Sequence, residues 1–333
     1  MIKKFLKKIR EFATYEIMEN QSQIIKNQLK IYEKLADLCE IKNLFGLLNY
    51  SNCKPNALQE KAKDLAAFHL ITNTKIKFDF SKESCKNAQD VFALLKPMDV
   101  FGKKKVRLGA EHDGGYITIE PEQRKKNDGI AYSFGISTYD PWSLAMAERG
   151  YNVFQYDGTV ENSPYNNSMI RFFQYMVTGS SSPKPNEKNI KQIFEDHGHS
   201  GKNIFLNIDI EGSEWDFFEM ITREEMQQFE QIIVEFHELL LDDGKLPKKI
   251  EILKKLNETH QCIHLHANNG ACPDLVTILP GFRQFPALME VTYIRKDPDY
   301  KFTECFDEFP GQLDSPNDPF FPDLYLGVLN EPK

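Results

Sequence analysis

The chain has no excess of positive charge, no paired cysteines, no apolar run of membrane-spanning length and no GxGxxG turn. Each absence excludes something. With 41 Lys and Arg against 49 Asp and Glu, the net charge is −8. A nucleic-acid partner requires a basic face to meet phosphates, so none is expected. The six cysteines, Cys39, Cys53, Cys85, Cys262, Cys272 and Cys305, are scattered, without CxxC or zinc-type spacing. They read as reduced, buried thiols rather than as a disulfide frame. No stretch is long and apolar enough to span a bilayer. The opening "MIKKFLKKIREF" is positive but lacks the apolar centre and small-residue cleavage site of a secretion signal. It predicts a cytoplasmic protein.

What is present is 333 residues, 41% of them hydrophobic and 27% charged. That is room for a full α/β domain with appendages. Residues 1–95 read as a helical region. Ile17, Ile24, Ile31 and Leu38 repeat every seventh residue, beside a row of Met18, Ile25, Tyr32 and Cys39. Seven-residue spacing keeps one helix face apolar, which predicts a long helix over 16–40 packed on a partner helix. A coil within the chain and a homodimer both satisfy that pattern. Ahead of it, Ile2, Phe5, Leu6, Ile9 and Phe12 face away from Lys3, Lys4, Lys7, Lys8 and Arg10. This basic amphipathic turn suits peripheral contact with an anionic membrane surface, and equally a solvated terminal helix. Helices are expected over 57–70 and around 86–95.

From residue 96 the pattern changes to alternating strands and helices. Strands are expected at 115–119, 129–136, 151–157, 172–177, 204–210, 229–237, 262–266 and 289–295. Between them, helices are expected at 141–150, 186–198, from 213, and at 247–258. Such alternation predicts a mostly parallel, doubly wound α/β sheet over 96–297. Its ligand crevice lies at the carboxyl ends of the strands, at the switch point between the first and fourth. The tail, 298–333, is acidic, aromatic and proline-rich, and reads as a strap packed over the core.

"NIFLNIDIEGSEWDFF" (203–218) shows what the crevice holds. A buried strand runs into Asp209, Glu211 and Glu214, three carboxylates within six positions. Like charges this close repel and are costly to bury, so they face something other than core. A pyrophosphate cofactor does not fit. The turn after the first strand, "SFGISTYDP", carries a lone Gly135, and Asp140 adds negative charge where a phosphate would sit. S-adenosylmethionine has a sulfonium and no phosphate. Gly135 allows backbone approach, and Ser133, Ser137 and Thr138 offer hydrogen bonds to its amino-acid end. Asp157, 22 residues after Gly135, stands where a carboxylate accepts bonds from a ribose diol. A turn-forming role suits Asp157 as well.

Taken in order, "RLGAEHDGGYITI", "YSFGISTYD", "FLNIDIEGSEWDFF", "QIIVEFHEL", "HLHANN" and "MEVTYIRK" resemble the FkbM-type S-adenosylmethionine-dependent methyltransferases, over about 100–297. The resemblance implies a class I, Rossmann-like methyltransferase sheet with the last strand antiparallel. It implies Gly135 and Asp157 against the cofactor, and Asp209 with Glu211 beside the methyl and its acceptor. It raises Asp113 and His112 as pocket residues. It also implies the acceptor: a sugar hydroxyl, on a nucleotide-activated sugar or a capsule or lipopolysaccharide precursor. One departure is that the second strand ends Tyr156–Asp157–Gly158 rather than Glu–Pro.

A sugar hydroxyl is hardly ionised at neutral pH, so a base or a metal must assist. Asp209, Glu211, Glu235, His237, His264 and His266 are the candidates. His264 and His266 are two apart on a strand and share a face. His266 or His237, helped by Asp209, is the expected base, and Glu211 positions the cofactor amino group or the acceptor. A divalent metal on Asp209, Glu235 and His237 is the other arrangement. Asn162, Asn268 and Asn269 lie on loops after strands and suit sugar hydroxyls or turns alike. Gly114–Gly115 suits a hairpin turn. Three further readings stay open: a non-sugar acceptor, a binding module without turnover, and an NAD-linked enzyme.

Overall fold

The structure, a computed structural model, describes residues 76–79, 81–125, 128–270, 276–278, 284–319 and 323–330. The helices expected over 16–40 and 57–70, the coil and the basic amphipathic turn lie outside them. Lys77–Lys333 forms one compact unit.

Seven strands make the central sheet: β1 Gly129–Phe134, β2 Tyr151–Tyr156, β3 Ile170–Phe173, β4 Ile204–Ile208, β5 Phe229–Phe236, β6 His260–Ala267 and β7 Met289–Arg295. Their spatial order is 3-2-1-4-5-7-6. β1 to β5 are mutually parallel, while β7 runs antiparallel to both β5 and β6. The third strand lies at Ile170–Phe173 and not at 172–177. Met176–Val177 instead pairs with Glu187–Lys188 in a separate ribbon.

The parallel strands read as near-continuous apolar runs because helices cover both faces. β4, Ile204–Ile208, is buried at every position. On one face Ala131, Val153, Phe205 and Ile233 meet Trp142 and Met146 of α2, Pro141–Glu148. On the other, Phe134 packs edge-on against Tyr156 at 5.6 Å and Phe217 at 6.0 Å. Fully burying each such ring contributes about 1.5–3 kcal/mol.

The helices begin where the sequence provides caps. Ser81 caps α1, Lys82–Leu94, by accepting from Ser84 N–H at 3.1 Å. Asn189 and Gln192 form a capping box on α3, Ile190–His197, which Gly198 closes in the left-handed conformation, φ 65°. α4 is Glu214–Met220, α5 Arg223–Met226 and α6 Leu246–Thr259. α1 belongs with the sheet rather than with a helical region ending at 95. Its Ala88, Val91 and Phe92 are buried. Asn87 Nδ2 donates to the Leu241 carbonyl at 2.8 Å, and Asn257 Nδ2 of α6 donates to the Leu94 carbonyl at 2.7 Å.

Two attachments shape the carboxyl edge. A hairpin of Lys105–Gly109 and Gly115–Ile119 lies across β5 and β7. Gln231 ties it down, accepting from Ile119 N–H and donating to the Ile119 carbonyl, both at 2.9 Å. Thr292 Oγ1 donates to the Ile117 carbonyl at 2.7 Å. The tail then returns over β6. Phe302–Glu304 pairs with Met98–Val100, and Leu324 and Leu326 are each 1% exposed. Among the described residues no helix is long and apolar enough to cross a membrane.

Replacing Gln231 with Leu keeps the volume but strands the buried Ile119 N–H, while the Ile119 carbonyl keeps the Thr118 hydroxyl at 2.6 Å. An unmet buried group costs about 1–3 kcal/mol. Gln231→Leu is therefore expected to lower unfolding free energy by about 1–3 kcal/mol in denaturant titration. A loss below about 0.5 kcal/mol would mean the hairpin is not held this way.

Candidate active site

The site grows from the crossing of two strand ends. Asp209 N–H donates to the Phe134 carbonyl at 2.8 Å, and Gly135 N–H donates to the Tyr156 carbonyl at 2.9 Å. A Cβ on Gly135, whose φ is +76°, would stand 1.5 Å from the Asp209 carbonyl oxygen. Only glycine fits. The chain leaving β4 then turns sharply through Glu211, φ 55°. Glu214, fully buried at the start of α4, reaches back to accept from Ile210 N–H at 2.7 Å and Gly212 N–H at 3.0 Å. Glu238, directly after His237, is left-handed too, φ 53°. Non-glycine residues held there cost on the order of 1–3 kcal/mol each, and such strain gathers at functional sites.

His237 sits between these two turns. Its carbonyl accepts from Trp215 Nε1–H at 2.8 Å, and the Glu238 carbonyl accepts from the buried Lys249 ammonium. Its Nδ1 lies 3.2 Å from Glu214 Oε1 and 3.3 Å from the Glu235 carbonyl oxygen. Both neighbours are acceptors, so Nδ1 carries a proton. Nε2 then faces Glu211 Oε2 at 3.4 Å, Asp209 Oδ1 at 3.7 Å and Glu235 Oε1 at 3.8 Å. Among the described residues, no Lys or Arg forms an ion pair with these carboxylates.

The charge crowding shows in the titration of Asp209, Glu235 and His237. Burial pushes the Asp209 carboxyl up to about 7, with the Glu214 and Glu211 charges adding and His237 opposing. Burial, then the charge of Asp209, raises Glu235 far above the carboxylate range. Burial disfavours a charged His237 ring, but Glu214, Asp209 and Glu211 outweigh it and raise its pKa. Asp113, on the hairpin turn, is raised by burial and by Glu290.

Of the other residues expected here, some lie at the strand ends beside the cluster and some do not. Asp157 ends β2 and is 9% exposed. Its Oδ2 accepts from Ile136 N–H at 2.8 Å, and its Oδ1 from Thr159 N–H and hydroxyl, each at 2.6 Å. Ser137 is exposed on the same loop, accepting from Tyr139 N–H at 3.1 Å. Asn268 Nδ2 donates to Glu235 Oε1 at 3.2 Å, placing it at the edge of the cluster.

Asp140 is the N-cap of α2 rather than a cofactor ligand. It accepts from Ser143 N–H at 3.1 Å, from the Ser143 hydroxyl, and from Gln155 Nε2 at 2.6 Å. Ser133 is buried next to it and closed to ligands. Asn269 is a clasp: its side chain donates to the Asp318 carbonyl at 3.2 Å and accepts from Asp318 N–H at 2.9 Å. Asn162 is exposed.

His266 does not act as a base. Its Nδ1 lies 3.1 Å from Glu290 Oε2 and its Nε2 3.0 Å from Asp323 Oδ1, so neither nitrogen offers a lone pair. Burial disfavours its charge, yet the two carboxylates raise its pKa to about 10. His264 shares that face and bonds Asp314 of the tail at 2.8 Å. Both histidines therefore fasten the strap. A cavity of about 10 Å³ beside them, lined by Arg107, Tyr116 and Glu290, is no larger than one water.

Glu290 was missed, and Glu214, expected to face away from the core, is instead fully buried as the support of His237. Glu290 pairs across the sheet with both Glu235 and His266, giving a row of three titratable groups over β5, β7 and β6. The second position of "MEVTYIR" carries that signal once β7 is known to lie between β5 and β6.

The strand order 3-2-1-4-5-7-6 with β7 antiparallel defines a class I, Rossmann-like methyltransferase fold. No family model and no curated protein matches the chain. Several solved structures are similar, three of them as follows. A fibrillarin/Nop5p complex is 10% identical, covering 51% of this chain and 73% of its own, at a TM-score of 0.30. The Methanococcus jannaschii fibrillarin pre-rRNA processing protein is 10% identical, covering 59% and 83%, at 0.30. A putative S-adenosylmethionine-dependent methyltransferase from Listeria monocytogenes is 12% identical, covering 65% and 100%, at 0.30. Similarity of this degree carries no argument about the activity of this chain.

The strap's attachment has a definite pH dependence. A histidine raised from 6.5 to about 10 on folding contributes stability that is complete below pH 6.5. That contribution is lost as pH rises through about 10. His266→Leu leaves Glu290 and Asp323 buried without their partner, costing about 3–5 kcal/mol near neutrality. The stability gap between wild type and His266→Leu should close as pH rises toward 10, read by denaturant midpoints. A gap independent of pH would refute the charged latch.

Proposed function

We propose that this chain is an S-adenosylmethionine-dependent methyltransferase acting on a hydroxyl, with a sugar as the acceptor. The observation that carries the reading is that two sets of groups stand side by side at neighbouring strand ends. Gly135 and Asp157, at the ends of β1 and β2, adjoin Asp209, Glu211 and His237, at the ends of β4 and β5. Ligands of open α/β sheets bind outside these strand ends, at the switch point between β1 and β4.

The residues suit the cofactor. A carboxylate oxygen has two lone pairs, so Asp157 Oδ2 keeps one for a ribose hydroxyl after meeting Ile136 N–H. The crevice carries negative charge without a paired Lys or Arg among the described residues, which suits a sulfonium and repels a pyrophosphate. When bound, S-adenosylmethionine supplies an electrophilic methyl, whose bond to sulfur breaks with its pair going to sulfur as the acceptor oxygen takes the carbon.

The chain's own residues hold the acceptor and accept its proton. Alignment of the hydroxyl alone is worth several kcal/mol. Asp209, Glu211 and His237 form the group that meets the hydroxyl and makes its ionisation cheaper. His237, with Nδ1 fixed by Glu214, is the histidine placed for this, where His266 is not. Asp113, Glu235 and Asn268 offer acceptors and a donor for neighbouring hydroxyls. The sugar class rests on the FkbM-type motifs, as does the choice of a nucleotide-activated sugar or a capsule or lipopolysaccharide precursor.

The test has two arms. Calorimetry should give S-adenosylmethionine binding that weakens at least about tenfold in Asp157→Ala and stays within about threefold in His237→Ala. Incubation with the cofactor and a panel of nucleotide sugars and free glycans should add one methyl by mass, with the rate falling about a hundredfold or more in His237→Ala. Absence of cofactor binding would sink the reading; binding with methylation only of a non-sugar acceptor would sink the sugar class.

A further inference from the structure

At the ends of β4 and β5, we propose that Asp209, Glu211 and His237 together hold one divalent cation, with Mn²⁺ the best-suited ion. The proposal rests on the hydroxyl-methylation reading only for what the ion does, not for whether it binds.

Geometry comes first. One ligand atom from each of the three side chains lies within 4.8 Å of the others. A cation with bonds of about 2.1 Å bridges ligand pairs up to about 4.2 Å apart. His237 Nε2 is 3.4 Å from Glu211 Oε2 and 3.7 Å from Asp209 Oδ1, inside that limit. The Glu211 side chain is 87% exposed and free to close the remaining few tenths of an ångström.

Two further observations point to a cation rather than to a mere acidic patch. Asp209 Oδ1 is sealed from solvent and has no hydrogen-bond donor. A buried carboxylate oxygen left so is costly unless a cation meets it. Glu214, fully buried, fixes the other nitrogen of His237 and so turns Nε2 into the cluster. A carboxylate behind the distal nitrogen is the usual support of a metal-ligating histidine.

The donor set selects the ion. Two carboxylates favour a hard cation, one imidazole tolerates Mn²⁺ better than Mg²⁺ or Ca²⁺, and the lack of thiolate disfavours the soft metals. Three protein ligands leave positions for two oxygens of the acceptor. A vicinal diol fills them, and the bound hydroxyl loses its proton to solvent at a much lower pH, so with the ion in place His237 serves as its ligand and not as the proton acceptor. The acceptor class narrows accordingly to sugars with adjacent free hydroxyls.

The experiment titrates MnCl₂ into the chelator-treated full chain, following free Mn²⁺ by electron paramagnetic resonance. One saturable site per chain is expected, weakened at least about tenfold in His237→Ala and in Glu211→Gln. It should be unchanged in Glu251→Gln, an exposed carboxylate remote from the cluster. Glu211 is exposed, so Glu211→Gln reports even where His237→Ala fails to fold. No saturable binding, or equal affinity in wild type and Glu211→Gln, would overturn the site. Cofactor calorimetry on the same samples separates the claims. Mn²⁺ binding without cofactor binding would end the methyltransferase reading and leave the cation site. Cofactor binding without Mn²⁺ binding would do the reverse.

Discussion

The imidazole of His237 is set among four carboxylates, those of Asp209, Glu211, Glu214 and Glu235, and the shape of the carboxyl edge follows from keeping that arrangement tolerable. Four carboxyls in a half-buried space do not all stay charged, and one ring relieves only part of the repulsion among them. The fold responds by immobilising the ring and every carboxylate it can. Glu214 is tied to two backbone N–H groups of the turn before it. Trp215 and Lys249 hold the carbonyls of residues 237 and 238. What the protein does not neutralise is left at the exposed side of the cluster, where the Glu211 side chain is 87% exposed.

The same chemistry recurs, with the opposite outcome, on β6. His264 and His266 are also matched to carboxylates, but those come from the tail and from β7, and they close around the rings. A histidine bonded at both nitrogens is a fastener. A histidine bonded at one, with the other aimed into a crevice, is available to a ligand. The hairpin works with the strap: Asp113 N–H donates to the Asn317 carbonyl at 3.3 Å, and Asn317 Nδ2 donates to Glu290 at 2.6 Å. Hairpin, strap and β7 are thereby tied together.

Much of the framework was legible because local patterns and tertiary demands coincide there. The parallel strands β1, β4 and β5 are apolar runs bounded by turn residues, and burial on both faces is what such runs require. Pro141 and Gly198 mark a helix start and a helix end through their own backbone preferences. The third strand was misplaced because "IRFFQYMV" is uniformly favourable to strand, and only pairing with β2 decides where the ladder stops. The boundary at 95 was misplaced because α1 is amphipathic wherever it packs; its partner, α6, lies more than 150 residues away.

The sequence by itself determined the alternation of strands and helices, the single glycine in the turn after β1, and the presence of carboxylates where a strand should end. These depend on spacing along the chain, which periodicity exposes directly. Only the tertiary structure decided which histidine is locked and which is free, that Asp140 is a cap, and that Glu290 completes a row with Glu235 and His266. Those outcomes depend on antiparallel register between β5, β7 and β6, and on where a proline-rich tail comes to rest. Neither leaves a periodic trace in the chain, because the partners are brought together by packing rather than by proximity in sequence.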